Sequence, residues 1–159
     1  MNKANIVTIA ILAAALLPAC TTTQTKPAEP TPPPMSYNQK LSSDSLFAFG
    51  KSSLDNLSDE GRTQLDALAA GLGSRPYEMV HVIGHSDRIG NAKANVDLST
   101  RRADAVRDYL VQKGVPADKI TAVGRGSVEP VVECDDKDRD ALIACLAPNR
   151  RVEIRIVAP

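Results

Sequence analysis

Apolar positions along this chain fall into three regimes. From Ala4 to Leu17 they are nearly continuous, broken only by Asn5 and Thr8. From Thr21 to about Lys40 they almost vanish, and from Leu41 onward they recur at the spacings of helices and strands. The first regime follows Lys3 and is too short for a comfortable membrane span, which is the layout of a secretory leader. The second holds Pro27, Pro30, Pro32, Pro33 and Pro34 among polar residues, the composition of an extended linker of roughly 3.1 Å per residue. The third is expected to fold.

Within that third region, Leu46-Phe47-Ala48-Phe49 reads as a short strand. Ser58 is placed to cap a helix whose Leu65, Leu68, Ala69 and Leu72 keep helical spacing up to Gly73. Glu78 to Ile83 reads as a second strand ending at Gly84. Ser99 to Lys113 reads as a second helix, with Ala103, Val106 and Leu110 on one face and Gly114 as its stop. Lys119 to Val123 is a third strand, and Asp140 to Leu146 a short helix. Finally Val152, Ile154 and Ile156 alternate with Arg151, Glu153 and Arg155, so one sheet face is expected to be wet. The pattern β-α-β-α-β-(α)-β predicts an α+β domain with helices packed on one face of a mixed sheet.

Composition narrows the function. Of 159 residues, 19 Lys and Arg balance 19 Asp and Glu, so there is no net basic charge to hold nucleic acid. Aromatic residues are 3% and Trp is absent, which removes the usual stacking platforms for bases and sugars. A ligand has to be gripped by charges and amides.

The three cysteines divide by context. Leu17-Pro18-Ala19-Cys20 resembles the lipobox of bacterial lipoproteins, where leader cleavage leaves a cysteine that carries acyl chains. At roughly 0.8 kcal/mol per buried methylene, several chains anchor a protein permanently. Thr21 after Cys20, rather than Asp, agrees with sorting to the outer membrane. Removing Cys20 from the count leaves Cys134 and Cys145, an even pair in a chain bound for an oxidising compartment, for which a disulfide is the default. The expected organisation is a signal peptide over 1–19, a lipidated Cys20 and Pro-rich linker over 20–40, and a folded domain over 41–159.

The densest polar cluster lies where the second strand meets the second helix: Gly84-His85-Ser86-Asp87-Arg88-Ile89-Gly90, Asn95, and Leu98-Ser99-Thr100-Arg101-Arg102-Ala103. N–H groups at a helix start there would attract an anion, and an Arg in its first turn adds a bidentate fork for a carboxylate. Asp87 beside it attracts a cation. A fixed carboxylate and a fixed guanidinium a few ångströms apart complement a zwitterion, the ammonium and carboxylate of a free α-amino-acid end. The same two residues would also serve as a plain surface salt bridge, worth about 0–1 kcal/mol and needing no ligand.

Four blocks in order, Phe47-Ala48-Phe49-Gly50-Lys51, the Gly84–Gly90 loop, Asn95 to Ala103, and Asn149-Arg150-Arg151-Val152-Glu153, resemble the OmpA-like C-terminal domain family. The lipidated start and linker look like a peptidoglycan-associated lipoprotein, and the cysteine loop looks more like the OmpA proteins themselves. The resemblance implies an OmpA-like sandwich that binds peptidoglycan non-covalently through the diaminopimelate of its stem peptide. It places the contact on Asp87 and Arg102, with Asn95 and Arg150 as further contacts or braces. Ala48 and Gly50 stand where the family often has acids or amides. The expectation is a lipid-anchored outer-membrane protein facing the periplasm, not an enzyme, with no cofactor and no nucleic-acid partner.

Other readings are weaker. His81, His85 and Asp87 form an incomplete metal set, with no further His to finish it. A role as an interaction module for other envelope proteins, such as a Tol component, remains the alternative, and the acidic run Asp135 to Asp140 reads as a solvated face or a partner surface.

Overall fold

The computed structural model describes residues 36–47 and 51–159. The leader, Cys20 and the Pro-rich run to Pro34 lie outside the described residues, as do Ala48, Phe49 and Gly50.

Four strands form one sheet: β1 (Tyr37–Ser42), β2 (Met79–Gly84), β3 (Ile120–Gly124) and β4 (Arg151–Val157). Their spatial order is β1-β4-β2-β3, with β1 and β2 antiparallel to β4 and β3 parallel to β2. The helices are α1 (Ser43–Leu46), α2 (Asp59–Gly73), α3 (Ala92–Gln112) and α4 (Arg139–Cys145). One core joins Leu65, Leu68 and Leu72 of α2 and Val106 and Leu110 of α3 to Val80, Val82, Val152 and Ile154 of the sheet. This is the expected mixed α+β layering.

Three expectations are corrected. The first strand is not Leu46–Phe49. Leu46 closes α1, Phe47 makes a single bridge to Leu57, and the sheet's edge strand begins at Tyr37, inside the segment read as linker. Only Leu41 of β1 is buried, so its sequence carries almost no alternation to read.

Second, α3 starts at Ala92 rather than Ser99. The Asn91 side chain accepts from the N–H groups of Lys93 and Ala94, so Asn91 is the cap. The thin apolar content of residues 92–98 hid the first two turns.

Third, the far face of β4 is not wet throughout. Arg151 and Glu153 are buried, and only Arg155 is open. Arg151 donates to the Glu129 carbonyl at 3.3 Å and pairs with Glu153 at 2.8 Å. Burial alone would raise the Glu153 pKa, but hydrogen bonds from Arg151 and Arg155 outweigh it and hold the carboxyl below its ordinary value.

Gly84 and Gly124 are partners in the β2–β3 register. A Cβ on Gly84 would strike the Ser99 carbonyl, and one on Gly124 would strike the backbone of Thr100. The two glycines let α3 lie directly on the sheet at Ser99 and Thr100, which fixes the height of Arg102 one turn further on. Cys134 and Cys145 form a disulfide, with Cα atoms 6.2 Å apart.

Candidate functional site

The site forms where the loop after β2, the turn around α1, α3 and the residue before β4 converge. Gly90, at φ +97°, turns the loop back so that Asn91 can begin α3. Within this loop Asp87 Oδ1 accepts from the Ile89 N–H at 2.9 Å, an Asx turn that holds the carboxylate in place. Its Oδ2 pairs with Arg150 Nη1 at 2.9 Å. Asn95 lies inside α3, not in the loop. Its amide donates to the carbonyls of Asp87 and Ile89 at 3.1 and 3.2 Å, so it braces the loop from behind.

Arg150 is the hub. Its Nε and Nη2 reach both oxygens of Asp44, the shortest contact being 2.7 Å, and Nη1 also donates to the Ile143 carbonyl at 3.1 Å. The hydrogen bonds it donates to Asp44, and then the one to Asp87, overcome burial and raise its already high pKa. Asp44 was missed at the sequence level. The signal available was Ser42, whose side chain accepts from the Asp44 N–H and so caps α1.

Arg102 sits in the third turn of α3, so the expected placement in a first turn, beside free helix N–H groups, is corrected. It is 4% exposed. Its Nε donates to the Lys51 carbonyl at 3.2 Å, and its guanidinium carbon lies 5.8 Å from the Phe47 ring centroid. Burial lowers its pKa, opposed by the charge of Asp44 and, more weakly, of Asp87, so the four ionic groups share one electrostatic neighbourhood. The simple Asp87–Arg102 salt bridge does not form. Asp87 is committed to Arg150, and no described carboxylate is within ion-pair distance of Arg102.

The remaining polar residues are braces. Arg88 Nη2 donates to the Cys134 carbonyl at 2.7 Å, tying the loop to the disulfide. Asn149 accepts from the N–H groups of Val131 and Val132 and donates to the Val132 carbonyl. Ser99 Oγ accepts from the Gly126 N–H. The two histidines are apart in role. His81 contacts the Thr121 hydroxyl at 2.8 Å, whereas His85 is buried.

A helix-covered mixed sheet with two carboxylates and two guanidinium groups gathered from α1, α3 and the segments flanking the sheet defines the class of α+β domain. The chain belongs to the OmpA family, whose model matches residues 46–143. It is 52% identical over 134 residues to "Outer membrane protein A" of Yersinia pseudotuberculosis, which covers 80% of this chain and 37% of that protein. It is 45% identical over 133 residues to "Outer membrane protein P5" of Haemophilus influenzae, covering 82% and 37%. The chain therefore spans little more than a third of these relatives. Among solved structures, the peptidoglycan-associated lipoprotein from Burkholderia pseudomallei matches with TM-score 0.59 at 28% identity, over 76% of this chain and 90% of that one. The cell wall anchor of the T6SS from Pseudomonas aeruginosa matches with TM-score 0.63 at 32% identity, over 77% and 81%.

Proposed function

We propose that this chain is a lipoprotein of the outer membrane whose domain holds peptidoglycan non-covalently through the diaminopimelate end of the stem peptide. The observation that carries this reading is the asymmetry of the charge cluster. Asp87 and Asp44 converge on Arg150, while Arg102, buried one helix away, meets no described carboxylate. A ligand carboxylate supplies that partner. The matching ammonium goes to Asp87, whose two oxygens keep lone pairs beyond the bonds to Ile89 and Arg150. Arg150 positions Asp87, and Asn95 fixes the loop backbone. Two charge-assisted hydrogen bonds at roughly 1.5–3 kcal/mol each leave a modest single-site affinity after association entropy.

Tethering offsets that weakness. Acyl chains on Cys20 and an extended linker keep the domain at high effective concentration near the wall, so many weak contacts fasten membrane to wall. The names of the relatives, two of them outer-membrane proteins and two of them wall-associated, support this reading. The test is co-sedimentation with purified sacculi. Wild type is expected to pellet, and Asp87→Ala and Arg102→Ala to stay soluble while remaining folded. Equal pelleting of all three would remove the assigned site. An envelope-protein partner that still binds Asp87→Ala would favour the interaction-module alternative.

A further inference from the structure

The two arginines beside the Asp87 carboxylate, Arg88 in sequence and Arg150 in space, both lean on one short loop. Arg88 Nη2 donates to the Cys134 carbonyl at 2.7 Å and lies 3.7 Å from the Asp135 carboxylate. Arg150 Nη1, which holds Asp87 at 2.9 Å, also donates to the Ile143 carbonyl at 3.1 Å. Burial does little to fix that loop. Every residue from Asp135 to Ala141 is exposed, and α4 buries none of its own residues. Its ends are set instead by buried Cys134 and by Leu146, and the Cys134–Cys145 bond joins them. The covalent bond thus fixes the spacing of the two carbonyls that the arginines use.

We propose that Cys134–Cys145 is a reducible clamp on the Asp87 loop: closed, it positions Asp87 through Arg88 and Arg150, and opened, it loosens the loop and lowers affinity for the wall. The last clause rests on the wall-binding reading above and adds a control to it. The reductant is a dithiol protein or small dithiol. Cys145 is exposed and Cys134 is 8% exposed, so the incoming thiolate attacks the Cys145 sulfur. That S–S bond breaks, and Cys134 leaves as a thiolate and takes a proton. The second thiol of the reductant then displaces Cys145, so the reductant departs as its own disulfide and this chain holds two thiols, having gained two electrons and two protons. Both cysteines act at a distance from the ligand and are positioning residues.

The test titrates the full chain in detergent against purified sacculi, oxidised, reduced with dithiothreitol, and reoxidised. Reduction is expected to weaken binding by about tenfold, the scale of one charge-assisted hydrogen bond, and reoxidation to restore it. The double variant Cys134→Ser, Cys145→Ser should bind like the reduced chain and ignore the reductant. Val80 and Ile154 methyl signals in NMR should keep their folded positions throughout, while the Asp87 and Ile89 amide signals move on reduction. Arg88→Ala, which cuts one of the two links with the disulfide intact, should bind more weakly than wild type and lose less on reduction, because the two changes act on one contact. Equal affinity of the oxidised and reduced chains would overturn the clamp. So would unchanged binding by oxidised Arg88→Ala, or a loss on reduction as large in Arg88→Ala as in wild type. If oxidised wild type does not pellet but the Asp87 and Ile89 signals still move on reduction, the clamp stands and the wall-binding reading fails.

Discussion

Neither ring nitrogen of His85 has a hydrogen-bond partner among the described residues, although the residue is 1% exposed. Burial lowers its pKa, with the nearby Arg151 charge adding to the shift and Glu153 opposing it. A base whose folded pKa is depressed binds its proton more readily in the unfolded chain. Its contribution is therefore complete above the ordinary value of 6.5 and is lost as pH falls from there to the folded value. Urea denaturation between pH 7 and 5 is expected to show stability falling by up to roughly 1.4 kcal/mol per pH unit, and His85→Leu to flatten that slope. Asp44 offers a second check on single residues. Asp44→Ala deprives Arg150 of its bidentate partner on a partly exposed surface, so a loss of about 0.5–1.5 kcal/mol in urea unfolding is expected.

The elements are held at the site by two devices, one steric and one covalent. The steric one is the Gly84–Gly124 pair beneath α3. Gly84→Ala drives a methyl into the Ser99 carbonyl and is expected to cost about 1–3 kcal/mol and to lift Arg102 away from the loop. Urea unfolding measures the cost, and sacculus pelleting measures the displacement. The covalent device is Cys134–Cys145, which joins the segment accepting from Arg88 to the helix whose Ile143 carbonyl accepts from Arg150. Reducing this short loop removes on the order of 3 kcal/mol in the chain-entropy model. Thermal melts with and without reductant should show that loss, and a Cys134→Ser, Cys145→Ser protein should reproduce it without reductant.

At the scale of the whole molecule, the proposal requires a membrane attachment at one end and a wall contact at the other. Labelled palmitate is expected to enter the wild-type chain and not Cys20→Ser, and the variant to leave the membrane fraction. The variant's isolated affinity for sacculi should stay unchanged, because the lipid acts through effective concentration rather than contact. Both losses together, of anchoring and of intrinsic wall affinity, would show that the two ends are not independent.

Local signals sufficed wherever one residue decides one piece of backbone. Ser58 caps α2, Gly73 ends it, Gly114 follows α3, and the valines and isoleucines of β2 and β4 mark their strands. The polar loop from Gly84 to Gly90 stood out in the sequence for the same reason: its charges and glycines are consecutive. Pairings were not legible, because a sequence shows that charges exist but not which of them meet. Arg150 reaches back 106 positions to Asp44 and 63 to Asp87, and Arg102 is left facing a backbone carbonyl from residue 51. Nor could alternation on β4 reveal that Arg151 and Glu153 are buried, with Arg151 held by the Glu129 carbonyl. Thus periodicity and caps, which act over one or two turns of chain, marked α2, β2, β3 and β4 but missed β1 and the first two turns of α3. Only tertiary packing, which brings distant side chains within Coulomb range and strips their water, decided that Arg150 takes both carboxylates and that Arg102 meets a backbone carbonyl.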